Sequence, residues 1–180
     1  MSPDRSPCRS ERPDAGTQVP PAALPLAVTI EIPRGSFRKV GSTGQLDFLS
    51  PLPCPFNYGS IRSRVGLEGD LLDAVLLGPR LKPGTEVAAY ACGAVRLQDR
   101  GLYDDKLICT VTPLDAARLE QAKRVTLAFF RVYGWGKRLL NLWRGRPGRT
   151  ALVGWVSAER AWRCSRPRSC LDWQRPPVPF

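Results

Sequence analysis

The sequence predicts an α+β protein that consists mainly of β-strands, with a small barrel or sandwich followed by helices. Two observations support this fold class. Short apolar segments are separated by turns that contain Gly and Pro, which is typical of antiparallel β-folds and not of a parallel βαβ sheet. After residue 112, apolar residues recur at helical spacing. The 180 residues are enough for one domain with a buried core.

The first predicted strand shows the clearest alternation. Val28, Ile30 and Ile32 alternate with polar residues, as expected for a strand with one buried face. Pro33 and Gly35 then end this strand. Further strands are predicted over residues 45–50, 73–77, 86–97 and 106–111.

Two helices are predicted after the strands. Thr112 is a suitable N-cap, and Pro113 suits the first helical position. Apolar residues then follow a helical period up to Gly134, where the first helix is predicted to end. A second, short helix is predicted over residues 157–162.

Both ends of the chain have the composition of irregular segments. Residues 1–27 are rich in Pro, Ser, Asp and Arg and show no period, which predicts a disordered tail. Residues 163–180 combine Arg with Pro, which predicts a basic, irregular C-terminal tail. The folded domain is therefore expected over residues 28–162.

The composition excludes several kinds of active site. The chain contains no histidine, which excludes Ser–His and Cys–His nucleophile systems and His-ligated zinc. The six cysteines form no C-x-x-C pair, and we interpret them as reduced thiols in a cytosolic protein. The sequence shows no signal-peptide pattern and no apolar run near the roughly 18 residues of a membrane span. A cytoplasmic location without membrane contact is therefore expected.

The formal net charge of +11 is unevenly distributed. Residues 28–115 carry ten basic and ten acidic side chains, whereas residues 116–180 carry fourteen basic and three acidic ones. In this last third, arginines are interleaved with aromatic residues, as in grooves that bind single-stranded nucleic acid. An Arg-rich surface without a specific ligand, or one that pairs with an acidic neighbour in an oligomer, is the alternative interpretation.

The acidic residues of the middle third form two groups. Glu68, Asp70 and Asp73 lie within six residues, and a second group occupies residues 99–105. Carboxylates collected around a barrel mouth repel one another unless cations bridge them, and hard oxygen ligands favour Mg²⁺ or Mn²⁺. Such a site predicts metal-dependent hydrolysis of a phosphoanhydride. Two solvated, Asp-rich turns are the alternative interpretation, and Asp105 is expected to be a solvated neighbour.

Six segments in chain order carry the motifs of a known family. They are I-E-I-P-R-G-S at 30–36 followed by Lys39, P-F-N-Y-G-S-I at 55–61, E-G-D-L-L-D at 68–73, G-A-V-R-L-Q-D at 93–99 with D-D-K-L at 104–107, F-F-R-V-Y at 129–133, and G-W at 154–155. Over residues 27–162, this series resembles the soluble family I inorganic pyrophosphatases.

The resemblance implies an OB-like five-stranded β-barrel with two flanking helices. It also implies hydrolysis of inorganic pyrophosphate to two orthophosphates by a metal-activated water. The reaction would depend on Mg²⁺, with Mn²⁺ as a second option, and the protein would be a homo-oligomer.

The resemblance further assigns three roles to side chains of this chain: metal ligand, general base and donor to phosphate. The general base that orients the attacking water would be Asp70. The metal ligands would be Glu68, Asp73, Asp99, Asp104 and Glu31. The groups that bind pyrophosphate oxygens would be Lys39, Tyr58, Lys106 and Tyr133.

Three departures from the family pattern remove polar groups that contact substrate or its metals. Val40 and Gly41 replace a Tyr and an acid, and L-D-F at 46–48 replaces D-R-F with its phosphate-binding Arg. Gly134 replaces a Lys. Each charge-assisted phosphate contact is worth about 1.5–3 kcal/mol, so impaired activity is expected. The alternative is a catalytically weakened protein with this fold that binds nucleic acid or another polyanion through residues 116–180.

Overall fold

The computed structural model describes residues 25–40, 46–49, 53–99, 101–143 and 151–169. Its elements are, in chain order, β1 (Leu26–Ile32), β2 (Arg38–Val40), β3 (Leu46–Leu49), β4 (Asn57–Val65), β5 (Leu71–Leu77), β6 (Glu86–Asp99), β7 (Leu102–Thr110), α1 (Ala116–Trp143), β8 (Ala151–Val156), α2 (Ala158–Cys164) and β9 (Arg166–Pro167).

Five strands form a closed ring in the order β1-β4-β5-β7-β6. β1 closes it because its first half pairs with β6, as in Leu26 opposite Ala89, and its second half pairs with β4, as in Ile30 opposite Gly59. All pairings in the ring are antiparallel except β5 with β7, which is parallel. The predicted class, a mainly β fold with an OB-like five-stranded ring and two helices, is confirmed.

The additional elements lie around this ring. β8 extends the sheet from β6, β9 pairs with β4, and β2 and β3 form a separate two-stranded sheet. Neither α1 nor α2 is long and apolar enough to cross a membrane.

Alternating residues of the strands build two apolar clusters on opposite faces of the ring. The inner cluster draws Leu72, Ala74 and Leu76 of β5 together with residues of all four other ring strands, and α2 packs against it through Ala158 and Ala161. The outer cluster contains the intervening Val75 of β5, Val95 and Leu97 of β6, Ile108 of β7, and Phe130 of α1. α2 therefore covers the interior of the ring, and α1 covers part of its outer face.

The sequence does not predict β4, although this strand lies between β1 and β5 and pairs with both. Its run of Ser and Arg at 62–64 hides the alternation, since Arg62 and Ser63 are exposed next to a bulge between Ile61 and Val65. Ile61 and Val65 themselves are buried. Pairing with both β1 and β5 thus overrides a polar local sequence.

The predicted ends of α1 are wrong at both termini. The N-cap is Asp115 and not Thr112, because the Asp115 Oδ1 atom accepts the Arg118 backbone N–H at 2.8 Å. The helix also continues past Gly134 to Trp143. One glycine in a helix costs only about 1 kcal/mol, which the neighbouring helical residues offset. For α2, the predicted start is confirmed, with Ser157 as N-cap.

The four cysteines in the described part of the chain are in two states. Cys54, Cys92 and Cys109 are free, and burial raises the pKa of Cys92 to about 11 and that of Cys109 further. Cys164, the last residue of α2, is disulfide-bonded. The prediction that all six thiols are reduced is therefore wrong for Cys164, because sequence spacing does not reveal which cysteines the fold brings near the end of α2.

The close approach of β4 to β1 gives a stability prediction. A Cβ atom at Gly59 would lie 1.9 Å from the backbone oxygen of Thr29, and backbone cannot yield as a side-chain tip does. We expect Gly59→Ala to lower the free energy of unfolding by about 1–3 kcal/mol or more, as measured by chemical denaturation. Gly134→Ala is the control: no heavy atom lies within 4 Å of its added methyl group, and we expect equal or higher stability. Equal effects of the two substitutions would contradict this account.

Candidate active site

A row of polar side chains crosses the outer face of the ring. The row follows from the alternation of side chains along each strand. The inner cluster contains Ile30, Ile61, Leu72 and Leu107, so residues one or three positions away on the same strands point outwards. The outward residues belong to adjacent strands and are Glu31 of β1, Tyr58 and Ser60 of β4, Asp73 of β5, and Asp104 and Lys106 of β7. The strand-borne acidic residues of this row therefore share the outer face of the ring.

Three carboxylates converge in this row. One oxygen from each of Glu68, Asp73 and Asp104 lies within 4.8 Å of the other two. Glu68 reaches the group from the turn at 66–70, which is closed by a 2.8 Å hydrogen bond from the Gly66 N–H to the Asp70 backbone oxygen. Gly69 in this turn has φ +91°, a conformation that side chains disfavour.

Lys106 and Tyr58 connect the carboxylates. The Lys106 ammonium donates to Asp73 Oδ2 at 2.5 Å and to Asp104 Oδ1 at 2.8 Å. The Tyr58 hydroxyl donates to the same oxygen of Asp73. The Lys106 Nζ atom also lies 5.5 Å from the centre of the Tyr58 ring. One ammonium group and one phenol thus hold two carboxylates from different strands.

Ser60 is a member of the row that sequence reasoning missed. Its hydroxyl donates to Glu31 Oε1 at 2.6 Å, and its backbone is opposite Asp73 in the β4–β5 register. The signal was present, since Ser60 is two residues after Tyr58 and must share its face if the segment is a strand. Ser60 links Glu31 to the same polar row as the carboxylate group.

The electrostatics of the site depend on burial and on the crowding of like charges. Burial raises the pKa of Glu68 to about 8, and the negative charges of Asp104 and Asp73 contribute to the rise. Burial alone lowers the pKa of Lys106, but the charges of Asp104 and Asp73 outweigh it and the net pKa is raised. Lys106 is therefore a permanent cation, and Glu68 binds a proton near neutral pH.

Tyr58 stays protonated for a related reason. Burial, followed by the charge of Asp73, raises its pKa well above the ordinary value of 10.0. A neutral phenol is a hydrogen-bond donor, so Tyr58 can serve either a carboxylate or a phosphate oxygen.

Not all predicted site residues join this group. Asp70 is exposed, and its Oδ1 atom accepts the Leu71 backbone N–H at 2.7 Å. Tyr133 packs on Phe129 with ring centroids 6.0 Å apart and belongs to the aromatic part of the outer cluster, against which Tyr58 also packs. The backbones of Lys39 and Asp99 lie in β2 and β6, but both side chains are outside the described part of the structure.

Asp105 is not a solvated neighbour, and this expectation is wrong. Its side chain is 5% exposed and forms an ion pair with Arg96, whose side chain is 2% exposed. The reason is its place between Asp104 and Lys106, which point outwards, so that Asp105 points into the ring.

The donor set of the site fits a divalent cation. It offers one carboxylate oxygen from each of three residues, all within 4.8 Å of one another, and no described residue adds sulfur or imidazole to the group. Hard oxygen donors of this kind suit Mg²⁺, Mn²⁺ or Ca²⁺ and not copper or structural zinc.

The fold and site together define a small β-barrel protein with an acidic cation site flanked by lysine and tyrosine donors on the barrel wall. Comparison with known proteins identifies the family. The family model for inorganic pyrophosphatase matches residues 28–134, which include all of the ring except the first two residues of β1, the carboxylate group and most of α1. The chain belongs to the inorganic pyrophosphatase family, as the series of motifs predicts.

Individual relatives agree with this assignment. The inorganic pyrophosphatase of Streptomyces coelicolor is 34% identical over 106 residues, which are 54% of this chain and 64% of the relative. That of Corynebacterium glutamicum is 34% identical over 93 residues, 47% of this chain and 59% of the relative. The chain thus spans about 60% of the length of these curated relatives. The crystal structure of inorganic pyrophosphatase from Thermus thermophilus matches with a TM-score of 0.61 and 25% identity, covering 88% of this chain and 94% of that one.

The raised pKa of Glu68 predicts a pH dependence of stability. Folded Glu68 holds its proton up to about pH 8, whereas its ordinary value is 4.5, so its contribution to stability is complete below about pH 4.5 and is lost as the pH rises towards 8. In EDTA, we expect the stability of the wild type to fall over this range, and Glu68→Gln to fall less. Denaturation midpoints at several pH values measure both.

Glu120→Gln is the matched control, because the Glu120 side chain is 60% exposed on α1 and far from the carboxylate group in sequence. This variant should follow the wild-type pH profile. Parallel profiles of Glu68→Gln and the wild type would show that Glu68 does not titrate in this range.

Proposed function

We propose that this protein is an inorganic diphosphatase that hydrolyses pyrophosphate to two orthophosphates. The proposal rests on one observation: in a member of the inorganic pyrophosphatase family, the carboxylates of Glu68, Asp73 and Asp104 converge with the side chains of Lys106 and Tyr58. Hydrogen-bond donors that can bind phosphate, placed next to a cation site, are the components that phosphoanhydride hydrolysis requires.

In this proposal, the carboxylate group holds divalent cations, and Mg²⁺ is the preferred one, with Mn²⁺ as a substitute. The ligands are Glu68, Asp73 and Asp104, and the family resemblance is our reason for adding Glu31 and Asp99. When bound, the cations would neutralise the charge of pyrophosphate and lower the pKa of the attacking water.

The donors to phosphate are on the same face. The Lys106 ammonium stays charged. It can replace its hydrogen bond to Asp73 or Asp104 with one to a phosphate oxygen without leaving the site. Tyr58 donates a neutral hydroxyl from the adjacent strand. We assign the same role to Lys39 and Tyr133 on the basis of the motifs that carry the family resemblance.

Asp70 is assigned the role of general base. It lies in the turn that carries Glu68, and its exposure gives water access to its carboxylate. A base in this position can accept the proton of a water that attacks a phosphate held by Lys106. We expect turnover to be slow, since L-D-F at 46–48 and Gly134 lack two cationic groups of the family pattern.

The second function, polyanion binding through residues 116–180 by a weakened pyrophosphatase fold, has one structural observation in its favour. Arg118, Arg124 and Arg131 are exposed on α1. The similar proteins are named inorganic pyrophosphatases, so the comparisons favour the enzyme. A homo-oligomeric state and a cytoplasmic location remain part of the proposal.

The proposed roles predict the effects of two substitutions on phosphate release from Mg²⁺–pyrophosphate. Asp70→Asn removes the base and should lower kcat about a hundredfold or more. Lys106→Met removes a charge-assisted donor and should lower kcat/KM by at least tenfold. Glu86→Gln, at an exposed acid on β6, is the control and should keep wild-type rates. If the wild type releases phosphate no faster than Asp70→Asn, the enzyme assignment fails.

Removal of metal gives an independent prediction. Phosphate release should stop in excess EDTA and return on addition of Mg²⁺ or, to a lesser extent, Mn²⁺, because three carboxylates cannot accept an anionic substrate without cations. The assay is phosphate release at fixed pyrophosphate with titrated free metal. Undiminished hydrolysis in EDTA would contradict the metal role of this site.

A further inference from the structure

Arg96 and Asp105 form an ion pair on the inner face of the ring, behind the candidate site. The Arg96 Nε and Nη2 atoms donate to Asp105 Oδ1 and Oδ2 at 2.7 and 2.6 Å. The Arg96 guanidinium lies 4.6 Å from the centre of the Tyr103 ring, and its Nη2 atom is 3.6 Å from the Cys164 sulfur of α2. The pair is thus enclosed by β6, β7 and α2.

The pair is directly coupled to the site by strand geometry. Arg96 and Asp105 are opposite each other in the β6–β7 register, which also places Leu97 opposite Asp104 and Val95 opposite Lys106. Because Asp105 stands between Asp104 and Lys106, its inward direction is what directs both neighbours outwards to the carboxylate group.

The apolar residues of β7 do not fix this register. Leu107, Ile108 and Cys109 are all fully buried, since the inner and outer clusters cover both faces of the strand. A slip by one residue would exchange the faces and still bury apolar side chains. The acidic residues of β7 do not fix the register either, because a slip would replace the carboxylate of Asp104 on the outer face with that of Asp105.

On the inner face, the ion pair distinguishes the two registers, and it adds to the Lys106–Asp73 ion pair of the outer face and to the short connection between the paired Asp99 and Leu102. A one-residue slip would place the buried Arg96 opposite either Lys106, which carries the same charge, or Asp104. In both cases Lys106 would turn away from Asp73 and into the apolar inner cluster, where a buried unpaired charge is strongly unfavourable. Buried ion pairs add little net stability compared with apolar side chains of similar size, and their best-attested use is to specify register.

We propose that Arg96 and Asp105 are positioning residues: their ion pair locks β7 in the register that presents Asp104 and Lys106 to the cation and phosphate site. This proposal rests on the proposed function, because it takes the carboxylate group to be a cation and phosphate site. The lock itself is a property of β6 and β7 that can be measured without substrate.

The decisive variant is the double substitution Arg96→Met with Asp105→Leu. It replaces the pair with apolar side chains of similar length, so the protein should melt within a few degrees of the wild type while the register loses its lock. NMR cross-strand contacts between residues 97 and 104 report the register. We expect them to be weakened and joined by contacts shifted by one residue.

Binding of Mn²⁺ alone, followed by electron paramagnetic resonance of the free ion, reports the geometry of the site. We expect the double variant to bind about tenfold or more weakly, as for other residues that orient metal ligands. Asp115→Ala is the control for stability: it removes the N-cap of α1, and it should lower the melting temperature while register and Mn²⁺ affinity stay unchanged.

Should the double variant not fold, Asp105→Asn keeps the shape of the side chain and removes only its charge, with the same two readouts. A wild-type register together with Mn²⁺ affinity within twofold of the wild type would overturn the lock. If the wild type itself binds no Mn²⁺ and releases no phosphate, the proposed function fails, and the NMR register still decides the role of the pair.

Discussion

The ammonium group of Lys106 is the interaction on which the candidate site depends. Asp73 and Asp104, and Glu68 once it loses its proton, would repel one another at the distances that separate them, and a buried cation offsets this repulsion where water cannot. Lys106 is held by a strand that is covered on both faces, so the cation cannot drift away from the carboxylates. The position of β7 in the ring therefore determines whether the acidic residues form a site or only an unstable group of charges.

Much of the fold could be predicted from the sequence because local pattern and tertiary structure agree in it. Residues 28–32 alternate as a half-buried strand should, and β1 indeed has one face in the inner cluster. β4 could not be found this way, since Arg62 and Ser63 are exposed at a bulge and its pairing with two neighbours is a tertiary effect. The length of α1 was missed because one glycine is a weak stop signal.

Those residues of the site that belong to the family motifs could be predicted from the sequence. Glu68, Asp73, Asp104, Lys106 and Tyr58 are brought together by the structure, whereas composition alone places their carboxylates in solvated turns equally well. Ser60 and Asp105 were missed for one reason. The role of each depends on which face of its strand it occupies, and in a run such as D-D-K at 104–106 the sequence does not show which residue faces which side.

The closure of the ring through β1 constrains how the chain can fold. Leu26 pairs with Ala89, more than 60 residues along the chain, and α2 seals the interior with residues still further on, at 158–164. Contacts between distant segments form slowly because loop closure must precede them. During synthesis, the inner apolar face of the early strands therefore stays unsealed until α2 has emerged, and this is the interval in which the domain is most exposed to aggregation.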